Sequence, residues 1–481
     1  MLVKEVETDI LVIGEGGAGL RAVLEASNRG VKVLVASKNS PEEPVTTSMI
    51  GGWITHRNPE EVEELFEAVL EEGNYINDQD VAWAFANEVP KRIPELAEFG
   101  VKMRLEVREE EGVGRVRPIW HVIGPPGRIG EGLRKPLLES MRKDKVAFLR
   151  NVIVTKLLVD ENRVVGAVAL DLRRQRILTI YSKAVILATG GASGLYLRND
   201  NPEGVTGDGY ALALNAGVRL VDMEFQIFSI SPRQLCQIFS DNLNEEKVLF
   251  GTAVAHYTCG GIKIGPWGNT DLKGLYAAGE VTGGVFGSAR LGGSAVADTI
   301  VFGYRAGLRA AEEAKSIERV IKVPDQVRDE VRRIEGLLRQ RGFSPQDIKT
   351  ELKELMWRNV GPIRYEKRLK EAIDELREIR ERVEELKSSS LKELKEALEA
   401  GFMLDVAEVM ALSALLRKES RGSHWRIDYP RPSRDWVKNI FVFKNDKGEI
   451  EVKVKDVELK RARPKGPFKV GERHTWCYII M

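Results

Sequence analysis

Three glycines near the start of the chain, Gly14, Gly16 and Gly19, carry the spacing G-x-G-x-x-G. That spacing suits one kind of chemistry, the holding of a dinucleotide pyrophosphate. The first glycine makes a tight turn, the second lets backbone approach the phosphates, and the third lets a helix pack close to the preceding strand. The N-terminus of that helix then faces the negative charge. Such a motif is weak alone and needs its context. Here Ile10-Leu11-Val12-Ile13 precedes it as an apolar run, and Leu20, Val23, Leu24 and Ala26 follow at helical spacing. Gly30 ends the helix and Val31-Lys32-Val33-Leu34-Val35 reads as a second strand. A dinucleotide-binding βαβ unit is therefore expected. The acid that often closes such a unit is replaced by Ser37-Lys38, so the unit alone leaves NAD and FAD both open. Cysteine chemistry is not expected. Cys236, Cys259 and Cys477 include no CxxC pair, which argues against a disulfide framework, an iron–sulfur cluster or a cysteine zinc site within this chain.

The elements that must position this cradle belong to a chain of 481 residues, long enough for two or three structural units. Hydrophobic residues make up 43% and charged residues 30%, which describes a folded chain and not a disordered one. Lys+Arg is 73 against Asp+Glu 72, so the basic excess of a nucleic-acid binder is missing. No apolar run approaches the ~20 residues that span a bilayer. The opening MLVKEVETDILVIG lacks the layout of a signal peptide. A cytoplasmic location is expected, and the wealth of Lys, Glu and Arg leans towards a thermophile.

Further along, Val152-Ile153-Val154, Val164-Val165 and Ile177-Leu178-Thr179-Ile180 read as paired strands. Ala184-Val185-Ile186-Leu187-Ala188 reads as a buried parallel strand from its unbroken apolar character. After Gly307 the composition changes to Glu, Lys, Arg and Leu. Leu369, Ile373, Leu376, Ile379, Val383 and Leu386 recur at three- and four-residue spacing, which predicts amphipathic helix with a solvated charged face. A helix from about Leu391 to Arg417 follows. Beyond Ser420, alternating Val452, Val454 and Val457 predict strands.

A series of motifs then appears in order. Ala188-Thr189-Gly190-Gly191 ends the buried strand, and Asn201-Pro202-Glu203-Gly204-Val205-Thr206-Gly207-Asp208-Gly209 and Asp222-Met223-Glu224-Phe225 follow. His256-Tyr257-Thr258-Cys259-Gly260-Gly261, Gly274-Leu275-Tyr276-Ala277-Ala278-Gly279-Glu280 and Arg290-Leu291-Gly292-Gly293-Ser294-Ala295 come later. Glu419-Ser420-Arg421-Gly422-Ser423-His424 closes the series. Together these resemble the flavoprotein family of fumarate reductase, succinate dehydrogenase and L-aspartate oxidase, from the first strand to about Trp436. The resemblance implies an α/β fold: a Rossmann-like FAD-binding domain over 1–228 and 256–315, a strongly reduced capping segment over 229–255, a C-terminal helical domain over 316–425, and a tail with strands over 426–481.

It also implies FAD in an extended form. Gly14, Gly16, Ala18 and Gly19 would meet the pyrophosphate, with Ser37 and Lys38 near the adenosine ribose. Thr46, Thr47, Gly51 and Gly52 would lie by the pyrophosphate and flavin, and Ile153 would offer backbone to the adenine. Ala188, Thr189 and Gly190 would stand on the cofactor's side of the buried strand. Asp208, Glu280, Arg290, Ser294, Ala295 and Val296 would surround the ribityl chain and ring. On the substrate side His256 and Arg290 match the family's carboxylate-binding pair, the planar fork of Arg290 suiting bidentate contact.

Three departures bear on the activity. The family's second clamp histidine falls on Ser229. Phe228 and His256 are separated by only 27 residues, where the family inserts a capping domain that excludes water and carries a proton-transfer arginine. Arg233, on that short segment, is the candidate replacement. The histidine that tethers FAD in many members falls on Val45, so the FAD is expected to be non-covalent, against a succinate dehydrogenase and for a reductase or an oxidase. Three readings stay open: a fumarate-reductase-like enzyme acting on a small carboxylate, an L-aspartate-oxidase-like enzyme, and a flavin electron-transfer subunit with a degenerate site. An electron pathway would then need a separate iron–sulfur subunit, and the tail Thr475–Met481 is a candidate docking element in a homo- or hetero-oligomer.

Overall fold

The apolar run Ile10–Ile13 is the end of a longer strand, β1 (Leu2–Ile13), which begins with exposed, alternating residues and finishes fully enclosed. The computed structural model of the chain describes residues 1–55, 57–109, 116–230, 253–445 and 447–464. After β1 come helix α1 (Gly17–Asn28) and strand β2 (Val33–Ser37), parallel to β1 with Ile10 opposite Val33. The expected βαβ unit is present, and Gly30 takes the positive φ that ends its helix.

On its other side β1 pairs in parallel with one strand, Arg176–Leu187. The two apolar runs at 177–180 and 184–188, read separately in the sequence, are this single strand. Its second half is buried and parallel as expected, matching Ala184 to Ile10 and Leu187 to Ile13. Strands Arg163–Asp171 and Val152–Asp160 continue the sheet antiparallel, Val146–Arg150 closes the far edge beside β2, and Leu275–Ala277 pairs with the end of Arg176–Leu187.

The long helix Ser294–Ser316 packs against α1 with backbone touching backbone. A Cβ on Gly303 would lie 2.7 Å from the carbonyl oxygen of Ala18, so only glycine permits the approach. This seam fixes the N-terminus of the Ser294–Ser316 helix beside the N-terminus of α1, where the glycine motif sits.

The charged stretch after Gly307 is helical. Helices Pro324–Gly336, Pro345–Asn359, Glu366–Glu384 and Leu391–Leu416 follow one another. Leu369, Ile373, Leu376 and Ile379 are buried as their spacing predicts. The tail then returns to pair with an earlier strand. Lys438–Lys444 and Ile450–Asp456 form an antiparallel hairpin, and the first of them pairs with Leu220–Val221. The result is a five-stranded sheet that also takes in Gly261–Lys263 and Thr282–Gly283. Among the described residues no helix is long and apolar enough to cross a membrane.

Candidate active site

The glycine cradle opens into a cavity of about 510 Å³, within the size range of small-molecule sites. Gly14 has φ +109°, and a Cβ there would lie 2.2 Å from the carbonyl oxygen of Ala188, so both conformation and space demand glycine. Gly19 packs directly beneath it, a Cβ there lying 2.1 Å from the Gly14 oxygen. Helix α1 starts at N-cap Gly16 with no side-chain cap, and the hydroxyl of Thr47 accepts from the Gly17 N–H at 2.9 Å. A helix start stripped of its own cap and facing a cavity is suited to an anion.

Most of the sequence-predicted positions meet on this cavity. Gly14, Gly16, Ala18, Ser37, Lys38, Thr46, Thr47, Gly51, Ala188, Thr189, Gly190, Asp208, His256, Glu280, Arg290, Ala295 and Val296 all line it. Gly19, Gly52, Ile153 and Ser294 do not. Gly19 serves helix packing. The side chain of Ile153 is buried in the core while its neighbours Val152 and Val154 reach the cavity. Ser294 is fully buried and its hydroxyl donates to the carbonyl of Leu291 at 2.6 Å. Arg233 and the tail Thr475–Met481 lie outside the described residues. Ser229 is buried in strand Gln226–Ile230 opposite Val254, away from the cavity wall.

Lys38 is more committed than its position implied. Its ammonium pairs with Asp208 at 2.8 Å and Glu399 at 3.2 Å, and donates to the Thr206 hydroxyl at 2.6 Å. Burial works against this charge, but the two carboxylates outweigh it and hold Lys38 above its ordinary pKa. Burial would likewise raise Glu399, yet Lys38, Lys349 and Lys395 together bring it down to about 2. Asp208 spends its oxygens on Lys38 and Thr206.

At the other end of the cavity Arg290 Nη2 lies 3.2 Å from His256 Nε2, its Nη1 donates to the Leu291 carbonyl at 3.2 Å, and its guanidinium stacks 4.5 Å from the centre of the Tyr257 ring. Its Nε is buried with no partner among the described residues. His256 Nδ1 lies 2.7 Å from Asp200. Asp200, Asn201, Tyr257 and Thr299 also line the cavity and were given no role from the sequence. Tyr257 and Asn201 sit inside the motifs, which is a usable signal. Asp200 stands one residue before a motif and 56 positions from His256, and no local pattern announces that contact.

Glu280 accepts from the backbone N–H of Thr258 at 3.1 Å, and burial pushes its carboxyl up to about 7 despite Arg290 nearby. Asp298 is pushed up to about 8 by burial, with Arg290 opposing and Glu280 adding to the rise. Neither of its oxygens has a hydrogen-bond partner among the described residues. A carboxyl raised from 3.8 to about 8 holds a proton in the folded state that the unfolded chain has already lost. The folded state then binds more protons, and stability falls as pH rises from about 4 towards 8. The thermal midpoint of the wild type should therefore drop between pH 5.5 and pH 8, and Asp298→Asn should shrink that drop. An equal drop in both proteins would show that Asp298 is ionised in the fold.

A mixed sheet whose central strands are parallel, with an uncapped helix start at its glycine turn, opening onto a cavity that holds a stacked arginine and a histidine, defines a dinucleotide-binding oxidoreductase. The residues present fit FAD: the cradle has no room for a Cβ, and the unpartnered donors of Thr189 and Arg290 are buried beside the cavity. The family described as "FAD binding domain" matches residues 9–248 and 235–296, and "Fumarate reductase flavoprotein C-term" matches 349–474. The chain belongs to the fumarate reductase/succinate dehydrogenase flavoprotein family, and its cofactor is FAD.

Its relatives include one of the subunits of the fumarate reductase (CoM/CoB) of Methanothermobacter marburgensis, 29% identical, with 91% of this chain and 97% of that protein covered. An uncharacterized FAD-dependent oxidoreductase of Methanocaldococcus jannaschii is 30% identical over 91% of this chain and 96% of its own length. Both alignments, 534 and 529 positions, exceed the 481 residues of the chain, so these relatives carry residues that it lacks. Among solved structures, the FrdA protein of E. coli quinol fumarate reductase superposes with a TM-score of 0.86 at 25% identity, covering 97% of this chain and 99% of that one.

Proposed function

We propose that this protein reduces an activated carbon–carbon double bond in a small carboxylate, with fumarate as the reference substrate. FAD, once bound and reduced, would supply a hydride, and one proton would complete the addition across the double bond. The remaining work belongs to the chain's own side chains. Arg290 binds a substrate carboxylate through its fork, held flat by the Tyr257 ring. His256 provides a second contact to the same group. Glu280, with its raised pKa, can donate as well as accept and suits the hydroxyl groups of the cofactor's ribityl chain. Arg233 falls on the short segment between strands Gln226–Ile230 and Ala253–Thr258, and is assigned proton delivery. The observation that carries this reading is the meeting of Arg290 and His256 on the wall of the cavity into which the glycine cradle opens.

With Val45 at the tether position, the cofactor is held without a covalent bond. Acid precipitation should release all of the flavin into the supernatant, and yellow colour retained in the pellet would contradict this.

Electrons reach the flavin from elsewhere. The three cysteines are too few and too scattered for clusters within the chain, and several relatives are named as subunits. A separate iron–sulfur subunit is the natural donor, with the protein on the cytoplasmic side and attached to a membrane only through partners.

Mixing photoreduced protein with fumarate under anaerobic conditions tests the activity. Rapid return of the oxidised flavin spectrum is the expected result. Peroxide release from L-aspartate in air, without a response to fumarate, would favour an amino-acid oxidase. Silence in both, with an iron–sulfur protein co-purifying, would favour an electron-transfer subunit.

A further inference from the structure

Asp200, His256 and Arg290 form an unbroken hydrogen-bonded row on the cavity wall. Asp200 Oδ2 lies 2.7 Å from His256 Nδ1, and Arg290 Nη2 lies 3.2 Å from His256 Nε2. A guanidinium can only donate. Nε2 therefore presents its lone pair to Arg290, and the single ring proton of a neutral imidazole sits on Nδ1, where Asp200 accepts it.

Asp200 is itself held in place. Its backbone N–H donates to the carbonyl of Ala255 at 3.3 Å, and its Oδ1 accepts from Asn201 Nδ2 at 3.3 Å. Asn201 Nδ2 also donates to the carbonyl of His256 at 2.9 Å. The loop is thus stitched to the strand that carries the histidine, on both sides of the ring. Glu280, Asp298, Tyr257 and the Cys259 thiol are further ionisable groups around the row, all clustered about Arg290. Arg198 turns its guanidinium over the Trp357 ring. Glu203 lines the cavity, Lys38 and Asp208 there are paired with each other, and Ser229 on the adjacent strand carries no charge.

We infer that Asp200 is a positioning residue that makes His256 take up a proton when an anion binds. This rests on the proposed role of Arg290 as the carboxylate site. Before binding, the row holds one negative charge, one positive charge and a neutral ring. An arriving carboxylate takes the donors of Arg290, and Nε2 loses its partner. One proton from solvent then adds to the Nε2 lone pair, and the new N–H donates to the carboxylate. No other bond forms or breaks. The imidazolium balances the charge that the substrate brought in, and Asp200 stabilises it from behind. Asp200 thereby ties substrate affinity to pH.

The chain has five histidines, so imidazole nitrogen NMR on the FAD-loaded protein is tractable, with His256→Gln giving the assignment. At pH 7.5 without an anion, His256 should be the neutral Nδ1–H tautomer. Added fumarate, or the unreactive dicarboxylate malonate, should convert it to imidazolium. Binding heats measured in buffers of different ionisation enthalpy should show one proton taken up per anion. Asp200→Asn should abolish that uptake and weaken binding at pH 7.5 about tenfold, the scale of one hydrogen bond to a charged group, while Asp200→Glu restores part of both.

A purely structural role for Asp200 would leave the proton count at one in the Asn variant. An Nε2–H tautomer in the resting wild type, or anion binding without proton uptake, would overturn the inference and leave the proposed activity standing. Failure of the wild type to bind either anion would instead remove the carboxylate-site reading, and the resting tautomer would still decide the arrangement of Asp200 and His256.

Discussion

Arg290→Gln should abolish fumarate-dependent reoxidation while leaving the protein yellow. The guanidinium is already desolvated, 8% exposed, and oriented by the Leu291 carbonyl, the His256 ring and the face of Tyr257. Its geometry is set before substrate arrives, so binding does not have to order a flexible side chain. Removing one partner of a buried, hydrogen-bonded charge pair costs about 2–5 kcal/mol, which corresponds to roughly 30- to 4,000-fold in kcat/KM. Glutamine is shorter and neutral and can donate only from one amide. The measurement is stopped-flow reoxidation of photoreduced variant and wild type, with the visible spectrum as the control for bound flavin. A loss smaller than tenfold would mean that the carboxylate is held elsewhere. Arg233→Gln in the same assay separates binding from proton delivery. If that variant turns over normally while Arg290→Gln is dead, Arg233 does not supply the proton.

The second large effect concerns stability. Arg417 is fully buried between Glu224, Glu419 and Asp222 and also donates to the carbonyls of Trp436 and Lys438. The rings of Phe225 and Trp436 lie against its guanidinium. Arg417→Leu would leave Glu224 buried without its counter-charge, while Glu419 keeps its pair with Arg421 and burial already pushes Asp222 up to about 8, a change that costs about 3–5 kcal/mol. That is a large part of the 5–15 kcal/mol that typically separates folded from unfolded chains. Soluble yield should collapse, and any protein recovered should unfold at a much lower urea concentration. Arg417→Lys should rescue only partly, because one ammonium cannot reach every acceptor that the guanidinium now serves. A near-normal urea midpoint for the leucine variant would show that Arg417 does not hold this cluster together.

Local physics made the cradle legible. An apolar run, three glycines and a helical repeat lie within thirty residues, and each reports on its neighbours. The parallel strand at 184–187 and the helix at 391–416 were readable for the same reason, through unbroken burial and sustained periodicity. The first half of β1 was not, because Leu2–Glu7 is exposed or half-exposed and its alternation is interrupted by charge. The two parts of Arg176–Leu187 looked separate because Ser182 and Lys183 interrupt the apolar pattern, although Lys183 simply reaches out to Asp9. Contacts between distant segments left no trace. Lys38 with Glu399, Asp200 with His256, and the tail strand with Leu220–Val221 depend on the finished fold, and no spacing in the chain encodes them.

The hairpin at 438–456 has a consequence for how the protein is made. Its two strands complete a sheet whose other three members leave the ribosome far earlier, and Asp222 receives the Ile440 N–H across 218 positions. Until then Leu220 and Val221 wait with one edge open, at the stage when a nascent chain is most exposed to wrong pairings. Residues 438–456 must be made before this sheet can close, so chaperone dependence should be set by that hairpin and not by the flavin domain that precedes it.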